Sequence, residues 1–213
     1  MFGFSTSTLW NQVFPGVQFR VLAATAALRV PVIREMWLWS YCIDASKAVA
    51  RRALSKKVSL ALYPGGEREQ MMTERGKHRL YLKSRKGFVK LALENNASLV
   101  PVYVFGETNL FTHSTVLLGP RLWLMKNFGV ALPFIYGAFG LLPHAGPVTA
   151  VAGEPLEPPP RPSDEKESPP STPYEPSQAE VDAFHARYVA ALTDLFDRHK
   201  AKYGCPDAVL EIQ

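Results

Sequence analysis

The sequence has little cysteine, no long apolar run and no visible secretory signal. Its two cysteines, Cys42 and Cys205, stand far apart in 213 residues. That excludes a disulfide framework and any cysteine-based metal spacing, and leaves a core thiol and a tail thiol. No stretch reaches the roughly 18–20 apolar residues that cross a bilayer as a helix. The nearest candidate, Phe128 to Pro143, is broken by Gly129, Pro133, Gly137 and Gly140 and reads as a buried or interfacial segment. The opening residues, Met1-Phe-Gly-Phe4, carry neither the basic nor the apolar region of a signal peptide. Contact with a membrane is therefore expected from the surface.

What is present is enough apolar residue, 47%, for one domain with a sizeable core. The net charge of +5 points to a partner with negative charge. A basic run carries much of it: Arg75, Lys77, His78, Arg79, Lys83, Arg85 and Lys86. Only Tyr81 and Phe88 lie near that run. They are too few for a base-stacking platform, so nucleic acid is not an expected partner.

The pattern predicts a turn at Phe14-Pro-Gly16, a strand and short helix within Phe19 to Leu28, and a helix over Pro31 to Trp39. A strand follows at Tyr41-Cys-Ile43. Asp44 stands in an N-cap position for a helix from Ser46 to Leu54. The run Ser59-Leu-Ala-Leu-Tyr63 reads as a buried strand that breaks at Pro64-Gly65-Gly66. A strand ending in glycines brings bare backbone to the rim of a sheet, where ligands of open α/β sheets collect. A helix from Arg85 to Asn95 should carry Phe88, Leu91, Ala92 and Asn95 on one face. Ser98 to Phe105 is a strand whose Pro101 suggests an edge or bulge. Leu117 to Pro143 reads as apolar and irregular, and Pro147 to Ala152 as a last strand. The segment 157–177 is rich in Pro, Ser and charge and reads as a mobile insert. An amphipathic helix over Gln178 to Tyr203 closes the order, with Gly204 and Pro206 beyond it. Strands alternating with helices predict an α/β fold: a mixed, largely parallel sheet flanked by helices, with a C-terminal amphipathic helix. The division expected is a domain over 1–156, the insert over 157–177 and the helical tail over 178–213.

Several blocks recur in order in one family. They are Phe14-Pro-Gly16, Arg29-Val-Pro-Val-Ile-Arg-Glu35, Pro64-Gly-Gly66, Arg85-Lys-Gly-Phe-Val-Lys-Leu-Ala-Leu93, Leu99-Val-Pro-Val-Tyr-Val-Phe-Gly-Glu107 and Gly153-Glu-Pro155. On these the chain resembles the type-2 diacylglycerol acyltransferase family, which also holds monoacylglycerol and wax-ester acyltransferases. The resemblance implies a glycerolipid-acyltransferase-like fold and acyl transfer from acyl-CoA to diacylglycerol or a related neutral lipid. It implies a membrane surface as partner, at the endoplasmic reticulum and lipid droplets, and no cofactor beyond acyl-CoA as donor substrate. Ala45 after Asp44, where more distant relatives carry arginine, favours a neutral acceptor. The family's His-Pro-His-Gly motif is absent, and Met1 aligns just after it. Met1 is accordingly expected to be an internal methionine of a longer protein, with the catalytic histidine upstream.

Acyl transfer to a hydroxyl needs a base and donors for the oxyanion. Glu67 is the catalytic candidate, orienting that histidine or the acceptor; a solvated loop carboxylate is the plain alternative. Gly65 and Gly66 could offer N–H groups to a thioester oxygen or phosphate, with Pro64 shaping the turn. Arg85 and Lys86, beside Gly87 and Phe88 at a helix start, are candidates for the phosphates of CoA or for anionic lipid. Glu107 closes a strand at the same rim. Of the five histidines, His144 alone lies in an apolar turn, and His78 is expected to help bind anion. Phe128 to Leu142 could line an acyl tunnel, face the bilayer or be core. The readings left standing besides the diacylglycerol enzyme are a monoacylglycerol or wax-ester acyltransferase and a non-catalytic lipid-binding paralogue.

Overall fold

The computed structural model describes residues 14–128, 134–140, 142–160 and 174–213. The expected loop and helix over Gly3 to Asn11 and most of the Pro/Ser segment lie outside them. The first layer is built as the apolar pattern requires. Strands β1 (Phe19–Ala23), β2 (Cys42–Asp44) and β3 (Ser59–Ala61) form a parallel sheet in the order β2-β1-β3. Val21 pairs with Cys42 on one side and Ala61 on the other, and Val21, Ala23 and Cys42 are buried together. Helices α1 (Pro31–Trp39) and α2 (Lys47–Ser55) make the crossovers. Pro31 sits at the start of α1, where its missing N–H costs nothing.

Asp44 is not the N-cap of α2. Ser46 holds that position, and the Asp44 carboxylate, two residues earlier, instead accepts the Ser46 N–H at 2.7 Å. Arg51 of α2 reaches Glu94 at 2.8 Å and ties this layer to the next.

The second layer centres on β5 (Val102–Phe105), antiparallel to β8 (Thr149–Ala152). Pro101 precedes β5 and is fully buried, and it stands at a one-residue slip between the Val102–Ala152 pair and the Leu99–Leu156 bridge, the bulge its position suggested. Pairing resumes beyond it at an isolated bridge between Leu99 and Leu156. Helices α4 (Gly87–Glu94) and α6 (Gln178–His199) pack on this pair. The buried face of α4 includes Val89 and Leu93 along with Leu91 and Ala92, wider than periodicity indicated, because α6 covers one side of it. A capping box starts α6: Ser177 Oγ accepts the Glu180 N–H, and the Glu180 carboxylate accepts the Ser177 N–H at 2.8 Å. Phe196 of α6 lies against Tyr103 and Phe105, with ring centroids 5.0 and 5.6 Å away.

Two features escaped the sequence pattern. Leu117 to Pro143 is not irregular throughout: α5 (Leu118–Phe128) is helical, and β6 (Thr112–His113) pairs antiparallel with β7 (Ile135–Tyr136). The chain end forms β9 (Glu211–Ile212), parallel to β4 (Arg79–Leu80). The molecule is thus a mixed α/β fold of several small sheets, parallel in the first layer, flanked by helices.

Candidate functional site

The strand β3 runs out at Ala61 and the chain turns through Tyr63-Pro64-Gly65-Gly66 into the short helix α3 (Gly66–Met72). The Gly66 N–H donates to the Tyr63 carbonyl at 3.1 Å, so in this conformation it closes the turn rather than facing a ligand. Gly66 has φ of +63°, which a side chain would strain. Gly65 is buried, with ordinary right-handed backbone. Its lack of a side chain has another cause. A Cβ there would stand 2.1 Å from Glu69 Oε2 and 2.4 Å from Glu69 Cδ. The glycine exists to let the Glu69 carboxyl lie on its backbone.

Glu69, one helical turn into α3, is the acid at the centre of this region. The Tyr81 N–H donates to its Oε2 at 2.9 Å. Burial pushes the Glu69 pKa above the usual carboxylate range, and nearby Glu107 adds to that. The Tyr81 N–H and the charge of Arg85 oppose the rise. Arg68 lies over the Tyr81 ring at 5.2 Å and fixes the same segment from the other side. Sequence reasoning selected Glu67 and passed over Glu69. Glu67 is half-buried and, among the described residues, its carboxylate makes no hydrogen bond. The missed signal was spacing: position i+4 from Gly65 stacks directly over it on a helix.

Glu107 arrives from β5. Gly106 turns the chain with φ of +84°, and a Cβ on it would stand 2.1 Å from the Pro147 carbonyl oxygen. Glu107 then opens a 3-10 turn over Glu107–Asn109. It lies near enough to act on both Glu69 and Tyr63. The Tyr63 side chain keeps 36% of its surface open, yet enclosure of the phenol, with Glu107 and Cys42 nearby, pushes its pKa up to about 12. Tyr188 of α6 faces the same acid: burial first, then Glu69, moves its pKa up to about 12.

The structure therefore brings together the Tyr63–Gly66 turn, Glu107 and Arg85, all around Glu69. Lys86 goes elsewhere. Its Nζ meets Asp182 of α6 at 2.8 Å. Phe88 packs edge-on against Tyr188 at 5.0 Å and serves the helix interface. Gly87 is exposed, with open space where a Cβ would be.

Much of the basic run is spent internally: Lys77 and Arg79 both meet Glu74, and Arg79 also meets Glu211 at 2.9 Å. His78 does not bind anion from the surface. Its Nδ1 hydrogen-bonds the Tyr103 hydroxyl at 2.7 Å, its ring lies 5.1 Å from Phe196, and burial lowers its pKa. Arg75, Lys83 and Arg85 remain exposed without an ion pair among the described residues.

Among the described residues, His144 Nε2 is buried without a hydrogen-bond partner. Side-chain concavities at Arg51, Arg52, Ser55, Glu94 and Asn95, and at Pro101, Gly153 and Glu154, involve none of the site residues. The described residues hold no group of acids, histidines and cysteines fit for a metal ion, and no helix long and apolar enough to cross a membrane.

The whole chain, residues 1–213, matches the family model described as diacylglycerol acyltransferase. It is 33% identical over 215 residues to diacylglycerol O-acyltransferase 1 of Saccharomyces cerevisiae, covering 95% of this chain and 49% of that protein. It is 34% identical over 226 residues to diacylglycerol O-acyltransferase 2 of Bos taurus, covering 98% of this chain and 59% of that protein. The human protein of that name is 33% identical, with 98% and 55% covered. The chain spans about half the length of the curated relatives it matches. No solved structure matches it significantly.

Proposed function

This chain belongs to the diacylglycerol acyltransferase family, and from that premise we propose that it carries the acceptor side of an acyl-CoA:diacylglycerol O-acyltransferase. The observation that carries the reading is the convergence of the Tyr63–Gly66 turn, Glu69, Glu107 and Arg85 within the family-matched chain. In the reaction, the free hydroxyl oxygen of diacylglycerol attacks the thioester carbonyl carbon. The C–O bond forms, the C–S bond breaks, and the hydroxyl proton ends on the sulfur of CoA. Among the described residues no cysteine or serine is paired with a histidine as a nucleophile, so direct attack fits better than an acyl-enzyme.

Arg85, exposed beside the acids, is the group best placed to meet the phosphates of CoA. Lys86, held by Asp182, contributes there less. The substrates come from a membrane, and the surface supports that setting. Val32 and Trp39 of α1 are each 74% exposed, and Phe139 after β7 is 99% exposed. These exposed apolar side chains are available to a lipid surface. The endoplasmic reticulum and lipid droplets, where such lipid accumulates, are the proposed location. The relatives' names support the enzyme over a non-catalytic lipid-binding paralogue.

The test is turnover by the full-length protein in membranes, supplied with labelled oleoyl-CoA and diacylglycerol. Labelled triacylglycerol above that of the empty membranes is expected. Product appearing only with monoacylglycerol or a fatty alcohol would replace the acceptor, and binding of acyl-CoA without any product would sink the enzymatic reading.

A further inference from the structure

We propose that β9 is a positioning element of the site: the backbone of Gln213 fixes the Tyr81 peptide, and the Tyr81 N–H in turn fixes the Glu69 carboxyl. This deepens the acyltransferase reading and rests on it.

Three observations carry the assignment. First, residues 78–83 form a ribbon with a partner on each side. On one side the Glu211 N–H donates to the His78 carbonyl and the Gln213 N–H to the Leu80 carbonyl, each at 2.8 Å. The N–H groups of Leu82 and Lys83 both donate to the Gln213 carbonyl, again at 2.8 Å. Residues of a strand alternate in the direction they face. Tyr81 is out of step with His78, Leu80 and Leu82, so its N–H faces the opposite side, where Glu69 Oε2 accepts it at 2.9 Å. Pairing with β9 therefore sets the plane from which that donor points.

Second, β4 has β9 as its strand partner in a sheet of two strands. So short a pair is not stable alone. Its anchor is the core under α6: Leu210 is buried there, and Ile212 packs against the cluster that holds Leu82, Tyr188 and Phe196. Arg79 joins Glu74 and Glu211 across the same ribbon at 3.1 and 2.9 Å. Both carboxylates are about half exposed, and such pairs contribute little. The backbone ladder is the stronger link.

Third, the Glu69 side chain depends on this ribbon. Among the described residues, the Tyr81 N–H is the hydrogen-bond donor to its carboxyl. The carboxyl lies on the backbone of Gly65, in the turn that the proposed site is built on. A shift of the Tyr81 peptide therefore reaches the Gly65 turn directly. Displacements of about 1 Å at such a centre cost about 100-fold in rate.

The experiment uses the full-length protein in detergent micelles, with two measurements: amide hydrogen exchange by mass spectrometry, and turnover of oleoyl-CoA with diacylglycerol. Gln213→Pro removes the N–H that Leu80 accepts, and a φ held at about −65° withdraws the carbonyl from Leu82 and Lys83. Gln213→Ala keeps both backbone groups and is the conservative variant. Ile212→Ala trims the apolar packing but leaves the ladder. Gln213→Pro should speed exchange over residues 66–83 while β5 and α6 stay protected, and lower kcat/KM about 10- to 100-fold. Gln213→Ala should match wild type in both measurements.

A purely structural role would open β5 and α6 together with 66–83, or make Gln213→Ala or Ile212→Ala as inactive as Gln213→Pro. Any of these results would overturn the assignment. So would a Gln213→Pro protein that exchanges like wild type over 66–83, or one that opens there and keeps full turnover. Exchange reads without turnover. Local opening in Gln213→Pro, beside a wild type that makes no triacylglycerol, would uphold the link from β9 to Glu69 and remove the enzymatic reading alone.

Discussion

At the scale of single residues, the site depends on one missing side chain. The backbone of Gly65 is right-handed, with φ of −61°, so alanine could adopt it without torsional strain. Gly65→Ala should still cost about 1–3 kcal/mol, the usual size of overpacking, because its Cβ would displace the Glu69 carboxyl. Thermal unfolding and turnover measured together check this; loss of activity larger than the loss of stability is the expected pattern.

Glu69 also leaves a mark on pH dependence. Its pKa is raised by burial from the ordinary 4.5, so the native state binds the proton more tightly than the unfolded chain. Its favourable contribution is complete below the unfolded value and is lost as pH rises through the folded one. Glu69→Gln removes that loss, so variant stability relative to wild type should climb as pH rises from about 4.5 toward neutrality. Denaturant titrations at a series of pH values measure it, and a flat difference would contradict the raised pKa. Glu69 was illegible in the sequence because nothing in a string of letters shows which of two nearby acids turns inward. Glu67 stood closer to the glycines and was chosen for that reason.

At the scale of elements, α6 organises the second layer. Phe196 is fully buried and touches the rings of Tyr103, Phe105 and His78. Phe196→Ala should cost about 3–5 kcal/mol, the range for a buried phenylalanine, and should loosen β5, which carries Glu107 to the site. Near-ultraviolet circular dichroism with chemical denaturation tests both parts. The helices with marked periodicity were legible: α1 spans the residues expected, and α6 lies within its expected range. The short pieces were not. Two-residue strands such as β4 and β9 exist only because a partner strand is nearby, and no local pattern records that. Helix α5 was missed because its apolar residues fall all round the helix and show no preferred face.

At the scale of the molecule, the chain presents apolar side chains that its own described core does not cover. Val32 and Trp39 on one helix and Phe139 on a separate hairpin turn are the most open. If these face lipid, Trp39→Glu combined with Phe139→Glu should reduce binding of the full-length protein to neutral-lipid vesicles several-fold without changing its melting temperature. Vesicle flotation reads the first and calorimetry the second. Unchanged flotation would place the membrane contact elsewhere. The same scale explains why the basic run failed as a single patch. Side chains that are neighbours in sequence are dealt to different partners in space, Arg79 to Glu74 and Glu211 and Lys86 to Asp182, and only some cations stay free.

The sequence by itself determined the alternation of strands and helices, the glycine break after β3 and membership of an acyl-transferring family. These follow from periodicity and from local backbone demands, which are written into adjacent residues. Only the tertiary structure decided that Glu69 is the acid laid on Gly65, that Glu107 and Arg85 face it, and that Lys86 and His78 are engaged elsewhere. Each of those facts joins residues distant in sequence, through burial and charge that exist only once the chain has closed on itself.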